Sequence, residues 1–213
     1  MKAKTKINLL TVFFFGIYLY TFIINNLFYT STYSADYQKY IVYLEYFFDY
    51  RNETGIDQSS LYYSLVAIVL NFVSKFSNPA TIQYDISFSI QLTNSILILF
   101  GILGIYNLMK QLEINKKKII LILTLLNFFP PLQSLKLTMK PEVIIFSLLP
   151  WLIYFLKNYL KDKNQINLIF AIFPTILIAT SKGTGFAIIG LFLLILFFEI
   201  LKNLNLKQIF MFL

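Results

Sequence analysis

The sequence predicts an all-α protein, a polytopic transmembrane helical bundle with about six spans. Hydrophobic residues make up 58% of the 213 residues, and charged residues make up only 13%. A soluble domain usually carries about 25% charged residues. Several apolar runs approach the length of about 20 residues that crosses the hydrocarbon core of a bilayer. In addition, twelve of the 18 Lys and Arg residues fall into four clusters that these runs separate.

The lysine clusters predict the topology, because cytoplasmic loops collect Lys and Arg. The clusters consist of Lys2, Lys4 and Lys6; Lys110, Lys116, Lys117 and Lys118; Lys157, Lys161 and Lys163; and Lys202 and Lys207. With all four inside, the N-terminus is cytoplasmic and the expected location is a plasma membrane, the bacterial inner membrane. The net charge of +8 is then explained by membrane orientation, and nucleic acid is not an expected partner.

Six apolar runs are predicted to span the membrane, and the first is too long for a signal peptide. They are residues 7–29, 86–109, 119 to about 135, 142–156, 166–180 and 184–201.

Residues 61–76 are apolar but short, and Asn71 and Lys75 interrupt them. If they crossed the membrane, Lys116 and its neighbours would lie outside. We therefore expect this segment at the outer interface, within an outer loop over residues 31–85. In the same loop, the spacing of aromatic residues predicts an amphipathic interfacial helix over residues 35–50.

The whole chain, residues 1–213, is expected to form a single transmembrane domain, since the apolar runs are alike and no internal repeat is evident. After Lys207 a further apolar run begins and stops within six residues. We therefore expect the chain to be the N-terminal part of a longer protein.

The composition restricts the chemistry that is open to this chain. It contains neither cysteine nor histidine. This excludes thiol nucleophiles and thiolate metal sites, and it removes the side chain that most often transfers protons near neutral pH. Any catalysis must use carboxylates, Lys, Tyr or backbone groups.

Asp36 is the first acidic residue after the first span. A carboxylate held at the membrane boundary can deprotonate the hydroxyl of an acceptor that arrives from the outer side. The alternative is an ordinary loop acid, one of seven on this face of the predicted topology.

Lys140, Pro141 and Glu142 begin the fourth predicted span at the outer boundary. Lys140 and Glu142 can position a phosphate, a metal ion or a sugar. Alternatively, Glu142 is simply an acidic residue in a first helical turn, where the helix dipole favours an anion.

Lys182 lies between two apolar spans at the same face, and Gly183 and Gly185 follow it. A lone lysine there is costly unless it reaches the interface or an anion. We interpret it as an anion-binding residue, with extension to lipid headgroups as the alternative.

Together these segments resemble the membrane-embedded glycosyltransferases of the C superfamily, in the subgroup of protein mannosyltransferases and aminoarabinose transferases. The similar segments are residues 34–40, 57–65, Lys140-Pro141-Glu142 and 179–185. The chain departs from the family where an Asp-Glu pair is Asp36-Tyr37 and where two prolines are Ser59 and Ser60. Family members are also about twice as long.

The resemblance implies sugar transfer from a polyprenyl-phosphate donor to a glycan, lipid or protein acceptor on the outer, periplasmic or luminal face of the lipid bilayer. Asp36 would be the general base, Lys140 and Lys182 would stabilise the phosphate, and Glu142 would orient the acceptor or a cation. Some family members use a divalent metal. The sequence establishes neither a metal site nor any other cofactor.

Two other functions fit the same pattern. One is a transporter or flippase of lipid-linked intermediates, which would need a polar site near the midplane on broken helices. The candidates for such a site are few, namely Gln91, Asn94 and Asn127. The other is a truncated, non-catalytic membrane subunit.

Overall fold

The computed structural model describes residues 9–28, 41–44, 60–78, 80 and 82–203. Within these ranges the chain is helical and contains no strand, so the predicted all-α class is confirmed. Residues 41–44, which are helical, are the only described part of the helix predicted over residues 35–50. The remaining helices are α1 (Leu9–Phe28), α2 (Ser60–Ser74), α3 (Ile82–Gln111), α4 (Lys116–Asn127), α5 (Pro130–Leu137), α6 (Glu142–Asp162), α7 (Gln165–Ser181) and α8 (Gly185–Asn203).

Three of these helices, α1, α3 and α6, are long and apolar enough to cross a membrane. A fourth span is possible if α4 and α5 count as one, although they are bent by 61°. The apolar helices α2, α7 and Gly185–Leu201 of α8 are shorter. Each predicted span therefore lies on a helix or on the bent pair, but helix length and composition do not confirm about six spans.

Local sequence explains where several helices begin. The side chains of Asn115 and Asn164 cap α4 and α7 by accepting hydrogen bonds from the backbone N–H groups two residues later, each at 2.9 Å. Pro130 and Pro131 open α5, where their missing N–H groups are not needed. Proline also disfavours a helical residue before it, and Phe129 is extended, so the chain bends between α4 and α5.

The longest helix, α3, has different partners along its two halves. The first half pairs with α2 and the turn after it: the Tyr62 hydroxyl donates to Asn94 Oδ1 at 3.0 Å, and Ser77 donates to Asp85 at 2.5 Å. Residue numbers rise along α2 while those of the partner residues fall along α3, so the two helices are antiparallel.

The second half of α3 packs against α6. A Cβ atom at Gly101 would lie 2.7 Å from the Phe146 carbonyl oxygen, and Gln111 donates to Asn158 at 2.5 Å. Residue numbers rise together in these contacts, so α3 and α6 are parallel. Helices α2 and α6 therefore follow one another end to end along α3.

The first helix, α1, also packs along α3. The Tyr18 hydroxyl donates to the Ser95 carbonyl oxygen at 2.6 Å, and the rings of Phe22 and Phe88 are 6.2 Å apart. A first buried apolar cluster joins helices α1 to α6, and a second lies among α6, α7 and α8.

The register along α3 also places Glu142. It precedes Phe146 by about one helical turn, so it is level with about Leu97, one turn before Gly101. Asn94 lies less than one further turn towards the start of α3. The first turns of α6 and of α2, which contains Tyr62, thus lie in one layer close to the middle of α3.

We expect Gly101→Ala to destabilise the protein by about 1–3 kcal/mol, because the new Cβ would press against the backbone of Phe146. The matched control is Gly190→Ala in α8, where no atom lies within 4 Å of an added Cβ. In that variant the free energy of unfolding should be unchanged or rise by up to about 1 kcal/mol, because alanine has a higher helix propensity than glycine. Thermal unfolding of the purified proteins in detergent measures both, and equal stability of the two variants would contradict the close α3–α6 contact.

Candidate functional site

An ion pair joins the start of α6 to the end of α7. The Lys182 ammonium binds Glu142 Oε1, although 40 positions separate the two residues in sequence. Glu142 is the first residue of α6 and Lys182 directly follows α7. Each charge therefore also lies at the helix end that its sign favours. The structure thus brings together two of the residues that the sequence predicted for the site.

The second oxygen of Glu142 has a different environment. Oε2 is buried and accepts no hydrogen bond from the described part of the chain. A buried carboxylate oxygen without a donor is costly. It is therefore a suitable acceptor for a hydroxyl group or a cation of a bound molecule.

Lys140 is not the partner of Glu142. Its ammonium donates to the Ser134 hydroxyl at 3.1 Å, in α5. The two residues that were predicted to position a ligand together thus have different partners, Ser134 for Lys140 and Lys182 for Glu142. Lys140 stays two positions before Glu142 at the same end of α6.

Lys136, at the end of α5, is a fourth charged residue near this layer, and its side chain is only 2% exposed. Its ammonium donates to Asn127 Oδ1 and lies 4.3 Å from the centroid of the Tyr18 ring. No carboxylate within the described ranges forms an ion pair with it. Lys136 is thus a buried cation held by an amide oxygen and an aromatic face.

Hydrogen bonds from Asn94 fix the end of α5 beside Lys136. The Asn94 amide donates to the carbonyl oxygens of Leu135 and Thr138, each at 2.8 Å. The last carbonyls of a helix have no partner within it, so this amide supplies one. Because Asn94 Oδ1 accepts from Tyr62, one side chain connects α2, α3 and α5.

Asn127 has a similar role at the end of α4. Besides accepting from Lys136, it donates to the Thr21 hydroxyl at 3.4 Å, and its carbonyl oxygen accepts from Gln133. Both Asn94 and Asn127 are completely buried. The bent pair α4–α5 is therefore held to α1 and α3 by a continuous polar cluster.

Asp36, predicted as the general base, lies outside the described residues, so its position relative to Glu142 and Lys182 is not described. Among the residues that are described, no group of three or more acidic side chains could hold a metal ion.

Sequence reasoning missed the role of Lys136, because this residue lies outside the four lysine clusters and belongs to no motif. The run over residues 119 to about 135 predicts one span through Pro130 and Pro131, but the chain bends there by 61°. Nothing local indicates that the part after the bend packs against α1. Burial of Lys136 follows from that tertiary contact.

Comparisons with protein-family models, with curated proteins and with solved structures found no match to this chain. The resemblance to the glycosyltransferases of the C superfamily therefore rests on the four similar sequence segments alone.

The pair of Lys136 and Asn127 can be tested by a double-mutant cycle. We expect Asn127→Leu to cost about 3–5 kcal/mol, because it leaves the buried ammonium without its acceptor. Lys136→Met should cost about 1–3 kcal/mol, because only an amide oxygen loses its donor. The double variant should cost less than the sum of the two, since neither group is then left alone.

Denaturant unfolding in detergent measures the cycle, with Lys118→Met as the control. Lys118 is exposed on α4, and its replacement should change stability by no more than about 0.5 kcal/mol. Strict additivity of the two single variants would contradict a direct interaction between Lys136 and Asn127.

Proposed function

We propose that the protein is a membrane-embedded glycosyltransferase, which transfers a sugar from a polyprenyl-phosphate donor to an acceptor on the outer face. The observation that carries the proposal is the ion pair of Lys182 with Glu142 at the start of α6, with Lys140 two positions before Glu142. Lys136 lies in the same region, buried at the end of α5. Charged groups are costly in a membrane domain unless they have a partner or a ligand. An anionic leaving group is a ligand that this set of cations fits.

The proposed chemistry assigns a separate task to each group. Asp36 deprotonates the acceptor hydroxyl, which attacks the anomeric carbon of the donor with inversion while the lipid phosphate leaves. Lys140 and Lys182 stabilise the charge that grows on the departing phosphate. Oε2 of Glu142, which accepts no hydrogen bond from the residues that the structure describes, accepts one from the acceptor or contacts a cation.

The proposed topology has six spans with the N-terminus in the cytoplasm of a bacterial cell and α2 at the outer interface. One observation supports it: Lys157, Lys161 and Lys163 lie at the end of α6 that is opposite Glu142.

This topology predicts the side from which single cysteines react, because the chain has no cysteine of its own. In intact cells, Ser59→Cys should react with a membrane-impermeant thiol reagent, and Asn115→Cys should react only after the membrane is opened. The reverse pattern would overturn the proposed orientation, and labelling of both from outside would place Lys116 on the outer side.

A transporter or flippase of lipid-linked intermediates is the second candidate. One observation favours it: the bent pair α4–α5 carries a buried polar cluster around Asn127 and Lys136, and broken helices with polar sites are typical of transporters. The two functions differ in their product, since a transporter moves the sugar-lipid without breaking the sugar–phosphate bond.

A transfer assay with polyprenyl-phosphate sugars in proteoliposomes distinguishes them. We expect Asp36→Asn to lower the transfer rate by about 10²–10⁴-fold as the loss of a general base. Lys140→Gln should lower it by about 10²-fold as the loss of one charge-stabilising donor. The control Lys75→Gln, an exposed cation that follows α2, should leave it unchanged.

Undiminished transfer by Asp36→Asn would remove Asp36 as the base. Movement of labelled sugar-lipid across the proteoliposome membrane without any transfer would instead favour the transporter.

A further inference from the structure

Two apolar grooves adjoin one another along α1, on a side of the bundle away from Glu142. The first lies among α1, α3 and α4, holds about 160 Å³, and is lined by Phe15, Leu103, Ile120 and, at one end, Lys116. An apolar cavity of about 150 Å³ is large enough to hold a small hydrocarbon. This groove therefore has the volume and the walls to take part of an aliphatic chain.

The second groove lies between α1 and α3 and holds about 370 Å³. Its walls include Phe15, Leu19, Phe22 and Ile96, and they are almost entirely apolar. Phe15 lines both grooves, so one begins where the other ends.

Both grooves lie on the surface of the bundle. Phe15 is 45% exposed, Leu103 is 42% exposed and Ile96 is 57% exposed. An aliphatic chain can therefore enter from the side, from the surrounding bilayer, without unfolding of the protein.

The length of the two grooves matches a single leaflet. They extend along α1 from Thr11 to Phe22. Eleven residues of helix rise by about 16 Å, which is about half the 30 Å thickness of the hydrocarbon core. An acyl chain of an ordinary phospholipid has this reach.

Charge distinguishes the two ends of the grooves. Lys116 and Tyr106 line the end near Thr11, and the adjacent Lys117 and Lys118 are exposed at the start of α4. The far end, at Phe22, has apolar walls.

One acidic residue, Glu113, is close in sequence to these lysines, in the turn between α3 and α4. Lys110, exposed at the end of α3, balances it. The three lysines at the start of α4 therefore leave a net positive charge, which attracts an anionic headgroup.

We propose that this surface binds an anionic phospholipid, with one acyl chain along α1 in the two grooves and the phosphate group at Lys116. Neither Glu142 nor Lys182 lines these grooves. The lipid site therefore does not depend on the proposed glycosyltransferase activity.

Native mass spectrometry of the full chain in detergent tests the proposal. The protein is stripped of lipid and titrated with phosphatidylglycerol or with phosphatidylcholine of the same acyl chains. Two variants alter the site, Lys116→Gln at the headgroup and Leu103→Trp in the groove. Two matched controls line neither groove, Lys157→Gln at an exposed lysine of α6 and Leu121→Trp at an exposed position of α4.

We expect phosphatidylglycerol to bind more tightly than phosphatidylcholine, and Lys116→Gln to weaken phosphatidylglycerol binding by about five-fold as the loss of one surface charge contact. Phosphatidylcholine binding should be unaffected by Lys116→Gln, whereas Leu103→Trp should weaken the binding of both lipids. The control variants should bind as the unaltered protein does. Equal binding of the two lipids, equal effects of Lys116→Gln and Lys157→Gln, or full binding by Leu103→Trp would each overturn the proposal.

Discussion

The hydrogen bonds of one buried amide, that of Asn94, connect the parts of the fold that matter for the site. Its Nδ2 group satisfies carbonyl oxygens at the end of α5, and its Oδ1 accepts from Tyr62 in α2. These groups lie in an apolar interior, where an unmade hydrogen bond would cost about 1–3 kcal/mol. The position of the chain that leads into α6, and hence of Lys140 and Glu142, depends on this anchor.

Lys136 is the second constraint, because a buried ammonium restricts how its surroundings can rearrange. It is held by Asn127 and by the face of Tyr18, so the end of α4, the end of α5 and the middle of α1 must stay together to keep it satisfied. Replacing such a group by an apolar residue often costs little, whereas removing its partner costs much. Its effect is therefore to fix one arrangement of the bent pair rather than to add net stability.

The sequence predicts much of this fold because the relevant signals are local. The lysine clusters and the apolar runs predict where the helices lie. They do not predict the bend of 61° between α4 and α5, because the apolar run continues through Pro130 and Pro131. Which charged side chains contact one another depends on tertiary packing and is not indicated by the local sequence. The pairing of Glu142 with Lys182, and not with Lys140, depends on the packing of α6 against α7, and the depth of Glu142 depends on the close approach of Phe146 to Gly101. The position of the candidate base, Asp36, is not described.

The end-to-end order of α2 and α6 along α3 has a consequence for access. The side chains of Glu142 and Lys182 at this junction keep 37% and 30% of their surface exposed. Neither side chain takes part in the backbone hydrogen bonds of a helix. A ligand can therefore separate the two charges by a change of rotamer while every helix stays intact.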